Sequence, residues 1–231
     1  LKERYGIREV QFRDDNLVAY RKLLRELCER MIESRIDLTW SCAGRVDMVT
    51  EEMLHLMKQA GCWQIWYGIE SGSDRVLQVI QKNTSVEKIR KAISLTARAG
   101  ISPCGFFMIG NPTETESDIR QTIDLLLELP LAEFHMCHFT PLPGSEIYST
   151  ATEYGSFDND WKKLTCWTTA FVPSTVSQEM LVKYSNLAMR KFYFRPRIIG
   201  HYLRRLTSFY NLKVFFQAFL GFVQYTFQKK R

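Results

Sequence analysis

Five short apolar runs recur along the chain, each rich in β-branched and aromatic residues. They cover residues 7–12, 38–42, 65–69, 104–109 and 134–139. Their apolar character is nearly continuous, which is typical of parallel strands that are covered on both faces. Successive runs start 27 to 39 residues apart, which leaves room for one strand and one helix in each interval. The pattern therefore predicts repeated βα units.

The segments between these runs carry helix signals. One predicted helix has an apolar face at helical spacing, formed by Tyr20, Leu23, Leu24, Leu27 and Met31. Thr50 is placed to cap the next helix. Thr84 with Glu87, and Thr115 with Asp118, have the spacing of capping boxes at two further helix starts. The alternation of strands and capped helices predicts an α/β fold.

The expected architecture is a partial (βα) TIM-like barrel with about five parallel strands, followed by a helical C-terminal extension. A complete eightfold barrel takes about 250 residues, so five units form only part of one. We place the partial barrel at residues 1–148 and the extension at residues 149–231. Within the extension, residues 149–175 predict a loop and residues 177–195 a helix that ends before Pro196.

Residues 198–231 predict a further helix with an aromatic face, formed by Leu212, Phe216, Phe219, Val223 and Phe227. Polar residues opposite this face argue against a membrane-spanning helix. Packing on the barrel or on a partner is favoured over peripheral contact with a bilayer. Much of the net charge of +6 lies in this tail. That placement favours an acidic partner surface and gives no reason to expect nucleic-acid binding.

The cysteines and histidines give no metal-binding spacing. The six cysteines lie at least 14 positions apart, so reduced thiols in a cytoplasmic protein are favoured over disulfides or a metal site. His135 and His138 are three apart on a predicted strand and face opposite sides, so they are not expected to share a metal.

Polar groups follow each predicted strand at its carboxyl end. They are Asp14 and Asp15, then Arg45 with Asp47, Glu70 with Ser71, Gly110, and Thr140 with Pro141. In parallel βα folds these ends converge on one mouth, where ligands bind. Carboxylates suit amines and ribose hydroxyls, and a guanidinium suits a carboxylate. The set therefore predicts a site for a zwitterionic amino acid joined to a nucleoside.

Each of these residues also has a simpler explanation. Asp15, and less readily Asp14, could cap the helix that follows. Glu70 could be paired with a neighbouring cation, and Arg45 could be an ordinary surface residue. Gly105 and Gly110 could serve only strand packing and a turn.

Several segments, taken in order, resemble the radical S-adenosylmethionine (SAM) superfamily. They are Phe12-Arg-Asp-Asp15, Ala60-Gly-Cys62, Gly68-Ile-Glu-Ser-Gly-Ser73, Gly105 to Thr115 and Thr140 to Ser145. The resemblance is closest to the subgroup that often has an upstream cobalamin-binding domain, and it also includes Phe192 to Pro196. It covers about residues 1–200.

The resemblance implies a role for each rim position. Asp14 and Asp15 match the position that binds the SAM amino group, and Arg45 a position near the methionyl carboxylate. Glu70 and Ser71 match the ribose contact. Gly105 and Gly110, with Glu114, match the strand that flanks the adenine, and Phe139 and Pro141 match a backbone contact to it.

The family's CxxxCxxC motif, which binds a [4Fe–4S] cluster, does not occur in this sequence. Residues 1–5 resemble the last turn of a helix that ends at Gly6, so the chain opens in the middle of a repeat. We therefore expect a truncated chain in preference to a degenerate protein, and expect this piece alone to be inactive. The implied cofactors are SAM, a [4Fe–4S] cluster held upstream, and cobalamin if the upstream domain is present.

Three functional hypotheses follow. The leading one is part of a radical SAM enzyme for methyl transfer or C–H functionalisation, acting on a small-molecule or lipid-like substrate. Such an enzyme implies an electron donor such as a flavodoxin or ferredoxin. The second is a non-radical barrel lyase or transferase that uses the carboxylates for acid–base chemistry. The third is a non-catalytic barrel docked by its basic, aromatic tail on a partner or membrane.

Overall fold

The computed structural model describes residues 2–203 and 220–221. The chain divides into two compact units, Leu1–Ser177 and Gln178–Arg231. The predicted domain boundary at residue 148 stays a prediction. Most of the predicted tail helix, with all five residues of its aromatic face, lies outside the described residues.

The first unit is built on a parallel sheet of five strands, which stand side by side in chain order. The strands are β1 (Glu9–Gln11), β2 (Thr39–Gly44), β3 (Cys62–Glu70), β4 (Ser102–Ile109) and β5 (Glu133–His138). The sheet curves into half a barrel, so the predicted partial (βα) barrel is confirmed. Because the order is sequential and every pair is parallel, all carboxyl ends lie along one edge, which we call the rim.

Helix α1 (Lys2–Tyr5) precedes β1, and the helices that follow connect the strands. They are α2 (Arg21–Glu33), α3 (Glu51–Gln59), α4 (Asp74–Val79), α5 (Val86–Arg98) and α6 (Glu116–Glu128). Thr50 caps α3 by accepting a hydrogen bond from the Met53 N–H. Thr115 and Asp118 form the predicted capping box at α6. These local signals therefore placed two helix starts correctly.

Two helix predictions were wrong in detail. Ser85, not Thr84, caps α5, and Thr84 Oγ1 is buried with no hydrogen-bond partner among the described residues. In α2 the fully buried side chains are Leu24 and Cys28, whereas Leu23 is 58% exposed. The apolar face is therefore narrower than the sequence predicted, since Leu23 points to solvent.

The two faces of the sheet differ in burial. One face packs under the helices: Ile65, Ile69 and Phe107 are fully buried there, and the Tyr67 hydroxyl lies 2.8 Å from Thr96 Oγ1 on α5. The other face lines the concave side of the half-barrel, and we call it the inner face. There the Phe106 side chain remains 37% exposed.

The predicted loop at 149–175 contains regular structure. A short helix α7 (Ala151–Tyr154) leads into β6 (Gly155–Phe157), which pairs with β7 (Phe171–Pro173) in an antiparallel ribbon. Such short strands are hard to recognise because three residues give no usable alternation.

The second unit contains α8 (Gln178–Tyr193) and α9 (Pro196–Leu203). The helix predicted at 177–195 is thus found within one to two residues of its limits. Between the two helices, the Arg195 guanidinium lies over the Phe192 ring at 4.2 Å from its centroid. Among the described helices, none combines the length and apolar character required to cross a bilayer.

Candidate functional site

The central feature of the rim is an ion pair at the end of β3. Lys82 Nζ lies 2.7 Å from Glu70 Oε1, and each side chain is about one-fifth exposed. Glu70 has a φ of +64° and stands at an irregularity in the β3–β4 register. Its carboxylate reaches over Gly68, which precedes it by two residues on the strand, so the carboxylate lies on the inner face. The predicted pairing of Glu70 with a neighbouring cation is therefore found.

Gly68 provides the space that this ion pair occupies. A Cβ atom built at Gly68 would lie 2.6 Å from Glu70 Oε1 and 2.7 Å from Lys82 Nζ. Any side chain at this position would displace both charged ends. The glycine therefore sets how closely the pair lies to the sheet.

A second ion pair follows β2. Arg45 donates to both carboxylate oxygens of Asp47, at 3.0 and 2.9 Å. Its Nη2 also donates to the Lys82 carbonyl oxygen at 3.3 Å. Hydrogen bonding to Asp47 raises the pKa of Arg45 and lowers that of Asp47. Through Lys82, the groups after β2 and β3 form one hydrogen-bonded chain along the rim.

Lys82 was missed by the sequence analysis. It lies twelve positions after Glu70, in the segment between α4 and α5. Because α4 is only six residues long, the chain returns to the rim soon after leaving it. The signal available in the sequence was a short helix followed by one cation among residues 79–84.

Asp14 and Asp15 lie in the loop after β1, and both are exposed. The neighbouring Asn16 accepts a hydrogen bond from the Arg45 N–H at 3.3 Å, so this loop adjoins the end of β2. The short 3-10 helix that follows has no side-chain cap hydrogen bond. Asp15 is therefore not a helix cap, and its predicted role in binding stays a prediction.

Ser71 is at the rim in sequence, but its side chain points away from the mouth. It is fully buried, and its hydroxyl lies 3.0 Å from Thr122 Oγ1 on α6. Nearby, the Ser73 hydroxyl donates to Asp118 Oδ1 at 2.6 Å, and Arg75 pairs with the other oxygen. These side chains attach the loop after β3 to α6, so any contact from Ser71 to a ligand would have to use its backbone.

The loop after β4 is organised by Glu114, which is fully buried. Its Oε2 accepts hydrogen bonds from the N–H groups of Gly110 and Asn111, at 2.5 and 3.0 Å. Burial raises the pKa of Glu114 to about 7, although these hydrogen bonds act in the opposite direction. The side chain of Glu114 therefore holds the loop from its buried side, and its predicted place beside the adenine stays a prediction.

Gly105 lies in the middle of β4, on the helix-covered face. A Cβ there would lie 2.8 Å from the Phe107 ring and 2.9 Å from Ile69 Cδ1. Gly105 therefore allows dense packing between sheet and helices, which is the simpler of the two explanations considered for it. Gly110, by contrast, has a φ of +79° and makes the turn at the rim.

A cavity of about 360 Å³ opens beside the rim. It is lined by Val79, Ile80, Gln81, Pro112, Phe139, Glu146, Ile147, Thr150 and Tyr154. Phe139 enters it directly after β5, where its N–H donates to the Ile109 carbonyl at 2.9 Å. The buried Pro141 follows two residues later. The cavity therefore joins the ends of β4 and β5 to the segment that carries Lys82.

The described residues do not fit a [4Fe–4S] cluster. Four of the six cysteines are buried. Cys42 and Cys62 contact each other through their side chains, as do Cys137 and Cys166. Within residues 2–203 and 220–221, no group of three or more histidine, cysteine or acidic side chains is arranged to hold a metal ion. No chemical step of a cluster can therefore be assigned to these residues.

Comparison with known proteins identifies the class. A family profile described as "Radical SAM superfamily" matches residues 1–126, which is more than half of the chain. The half-barrel, with charged and polar groups at its carboxyl edge, is consistent with that match. The chain belongs to the radical SAM superfamily.

Particular relatives are methyltransferases by name. "Uncharacterized methyltransferase PH0819" of Pyrococcus horikoshii is 28% identical over 200 residues, which are 84% of this chain and 43% of that protein. Cytidylyl-2-hydroxyethylphosphonate methyltransferase of Streptomyces wedmorensis is 29% identical, over 68% of this chain and 31% of that protein. The chain thus spans less than half the length of these relatives.

A solved structure supports the fold. The radical SAM methyltransferase TsrM of Kitasatospora setae, with cobalamin and a [4Fe–4S] cluster bound, superposes with a TM-score of 0.55 at 18% identity. The match covers 83% of this chain and 39% of that one. At this identity the likeness shows a shared architecture.

Proposed function

We propose that the rim binds SAM and that the protein is a methyl-transferring enzyme of the superfamily. The observation that carries the proposal is the Glu70–Lys82 pair, which lies over Gly68 on the inner side of the rim. Both members are about one-fifth exposed, so they are reachable by a ligand and partly shielded from water. The methyltransferase relatives support the proposal of methyl transfer.

The two charges suit opposite parts of SAM. Lys82 engages one oxygen of Glu70, which leaves the other oxygen available to accept hydrogen bonds from ribose hydroxyls. The Lys82 ammonium has further donors for the methionyl carboxylate. Arg45 is already engaged bidentately by Asp47, so Lys82 is the better placed cation. Asp14 and Asp15 remain proposed partners of the amino group.

The neighbouring cavity suits the adenine. Its lining combines aliphatic side chains with Phe139 and with Pro112, which lies two residues after Gly110. A volume of about 360 Å³ falls within the range of small-molecule sites. Glu114 keeps this turn in place from the buried side. The nucleoside would thus extend from Glu70 toward the ends of β4 and β5.

A [4Fe–4S] cluster, when bound to a protein of this family, supplies the electron that cleaves SAM reductively. The described residues offer no ligands for it, so our proposal for this chain is restricted to holding and orienting SAM. Cobalamin, an electron-donor protein and a small-molecule or lipid-like substrate remain proposals for the whole protein. The predicted inactivity of this chain by itself also remains a prediction.

Binding of SAM and of S-adenosylhomocysteine, measured by isothermal titration calorimetry, tests the proposal. Glu70→Gln is expected to weaken binding about tenfold or more, because a hydrogen bond to a charged group is worth about 1.5–3 kcal/mol. Lys82→Met should weaken it similarly. Glu128→Gln is the matched control, since Glu128 pairs with Arg90 through helix side chains. Unchanged affinity in both rim variants would overturn the proposal.

A further inference from the structure

Two of the six cysteines form a contacting pair that solvent reaches. Cys137 lies on β5, and Cys166 lies 29 positions later, in the loop of residues 158–170 that joins β6 to β7. We call this segment the β6–β7 loop. The two side chains contact each other. Cys166 is exposed and Cys137 is partly buried, so a reagent in solution can reach at least one sulfur of the pair.

Hydrogen bonds already hold the β6–β7 loop along β5, which is an edge strand of the five-stranded sheet. The His138 N–H donates to the Cys166 carbonyl oxygen at 2.9 Å. Thr140 Oγ1 donates to the Thr165 carbonyl oxygen at 3.2 Å, and His138 Nδ1 lies 2.6 Å from Thr169 Oγ1. The backbones on either side of the two sulfurs are therefore fixed next to each other, which is the arrangement that a disulfide needs.

A second contacting pair provides a contrast. Cys42 on β2 and Cys62 on β3 also contact each other through their side chains, but they are only 2% and 1% exposed. Burial raises the pKa of the Cys62 thiol. Thiol–disulfide exchange needs both a thiolate and access to it, so the buried pair should be inert. Reactivity is therefore expected at the pair that contains Cys166.

The two thiols of the reactive pair have different environments. Burial raises the pKa of the Cys137 thiol, and Cys166 and the carboxylate of Glu70 raise it further. Cys137 is therefore protonated at neutral pH and is a poor first nucleophile. Cys166 is exposed, so it is the thiol that meets an oxidant first. The influence of Glu70 also indicates that the pair lies near the ion pair at the rim.

We propose that Cys137 and Cys166 form a redox-sensitive disulfide that fastens the β6–β7 loop to β5. The oxidant is a low-molecular-weight disulfide of the glutathione class. The Cys166 thiolate attacks one sulfur of this disulfide, which leaves a mixed disulfide on Cys166 and releases one glutathione that takes up the proton. Cys137 then loses its proton and attacks Cys166 Sγ, and the second glutathione leaves as a thiol. Two protein thiols are oxidised, and one small disulfide is reduced to two thiols.

Oxidation would replace a loop held by hydrogen bonds with a loop held covalently. Trp167, directly after Cys166, already contacts the His135 ring on β5 edge to face, with centroids 5.7 Å apart. The loop therefore needs no large movement to accept the disulfide. Hydrogen bonds allow local opening, and a covalent bond limits it. The inference requires no bound ligand, so it is independent of the proposed SAM site.

Titration of the folded protein with glutathione buffers of increasing oxidised fraction, followed by peptide mapping with mass spectrometry, tests the disulfide. We expect a cross-link between Cys137 and Cys166, and dithiothreitol should restore both thiols. Cys42 and Cys62 should stay reduced throughout. Absence of the expected cross-link in the most oxidising buffer would overturn the proposal. Equal oxidation of the buried pair would also overturn it, because oxidation would then follow unfolding.

Three variants test the roles of the two thiols. Cys137→Ser should stop at the mixed disulfide, so that Cys166 retains one glutathione. Cys166→Ser should leave Cys137 as a thiol in the same buffer. Cys28→Ala is the control, since Cys28 is buried, and it should leave the cross-link unchanged. A glutathione adduct on Cys137 in the Cys166→Ser variant would overturn the assignment of Cys166 as the thiol that reacts first.

Limited digestion with trypsin tests whether the disulfide fastens the loop. Lys162 and Lys163 are exposed and lie within four residues of Cys166. Cleavage at these sites requires local opening, so it should be at least about threefold slower in the oxidised protein than in the reduced protein. Cys166→Ser treated with the same buffers should show no such change. Equal cleavage rates for oxidised and reduced wild type would overturn the proposed fastening of the loop.

Discussion

The buried Glu114 makes stability depend on pH in a direction that can be measured. Its pKa rises from an ordinary value of 4.5 to about 7 in the folded protein. Well below pH 4.5 the carboxyl group is protonated in both the folded and the unfolded state, so its raised pKa does not affect the free energy of unfolding. Above pH 4.5 the unfolded chain ionises first, so the free energy of unfolding falls as pH rises and levels off above about pH 7.

The size of this effect follows from the pKa difference. One pKa unit corresponds to about 1.4 kcal/mol, so the rise to about 7 is worth roughly 3 kcal/mol between pH 4.5 and 8. Glu114→Gln removes the ionisation, and the difference in unfolding free energy between variant and wild type should change by that amount over this range. Replacing the carboxyl group by an amide near Asn111 can also change stability by an amount that does not depend on pH. That amount cancels when the difference between variant and wild type is compared across pH values.

Urea unfolding at half-unit pH steps, followed by circular dichroism, measures this change. Asp118→Asn is the contrasting control. Although burial opposes it, hydrogen bonds from Arg75, Ser73 and Thr115 hold the pKa of Asp118 well below its usual range. The stabilisation that the ionised Asp118 carboxylate provides is lost only as pH falls below about 4. Asp118→Asn should therefore lower the free energy of unfolding by a constant amount, roughly 1–3 kcal/mol, from pH 5 to 8. A pH-independent difference for Glu114→Gln would refute the reasoning.

Two further substitutions test the sheet and the rim. Gly68→Ala should leave the free energy of unfolding within about 1 kcal/mol, because its Cβ meets only the mobile ends of Glu70 and Lys82. The same variant should weaken S-adenosylhomocysteine binding about five- to tenfold in calorimetry, since the ion pair is displaced; unchanged affinity would argue against a ligand at this pair. Tyr67→Phe should cost about 1 kcal/mol in urea unfolding. Thr96 already donates to the Ala92 carbonyl, so Tyr67 donates to Thr96 and only that bond is lost.

The strands could be predicted from sequence because both faces of most of them are apolar. β3 and β4 extend two to three residues before the predicted starts, at Cys62 and Ser102. Polar residues such as Gln64 interrupt the apolar run without ending the strand, since Gln64 is buried and accepts a hydrogen bond from Trp66. Partner side chains elsewhere in the fold thus determine where a strand begins.

The rim was predictable as a set of positions but not as a set of side chains. Sequence places Glu70, Ser71 and Glu114 at strand ends, and the fold directs only Glu70 toward the inner face. Ser71 turns to Thr122 and Glu114 turns to its own loop. These two directions depend on hydrogen-bond partners that only the folded chain brings together, namely Thr122 on α6 for Ser71 and the loop N–H groups for Glu114.

Lys82 lies twelve positions after Glu70 in the sequence, and in the fold it pairs with Glu70 at the rim. The sequence analysis assigned Arg45, which follows β2, to the methionyl carboxylate of the ligand, and it named no particular cation as the partner of Glu70. In the fold, Arg45 donates two hydrogen bonds to the carboxylate of Asp47. Lys82, from the segment after α4, donates to the carboxylate of Glu70. Arg45 also donates a hydrogen bond to the Lys82 carbonyl oxygen. The guanidinium of Arg45 therefore helps to position the segment between α4 and α5, from which the ammonium group of Lys82 reaches Glu70 at the rim.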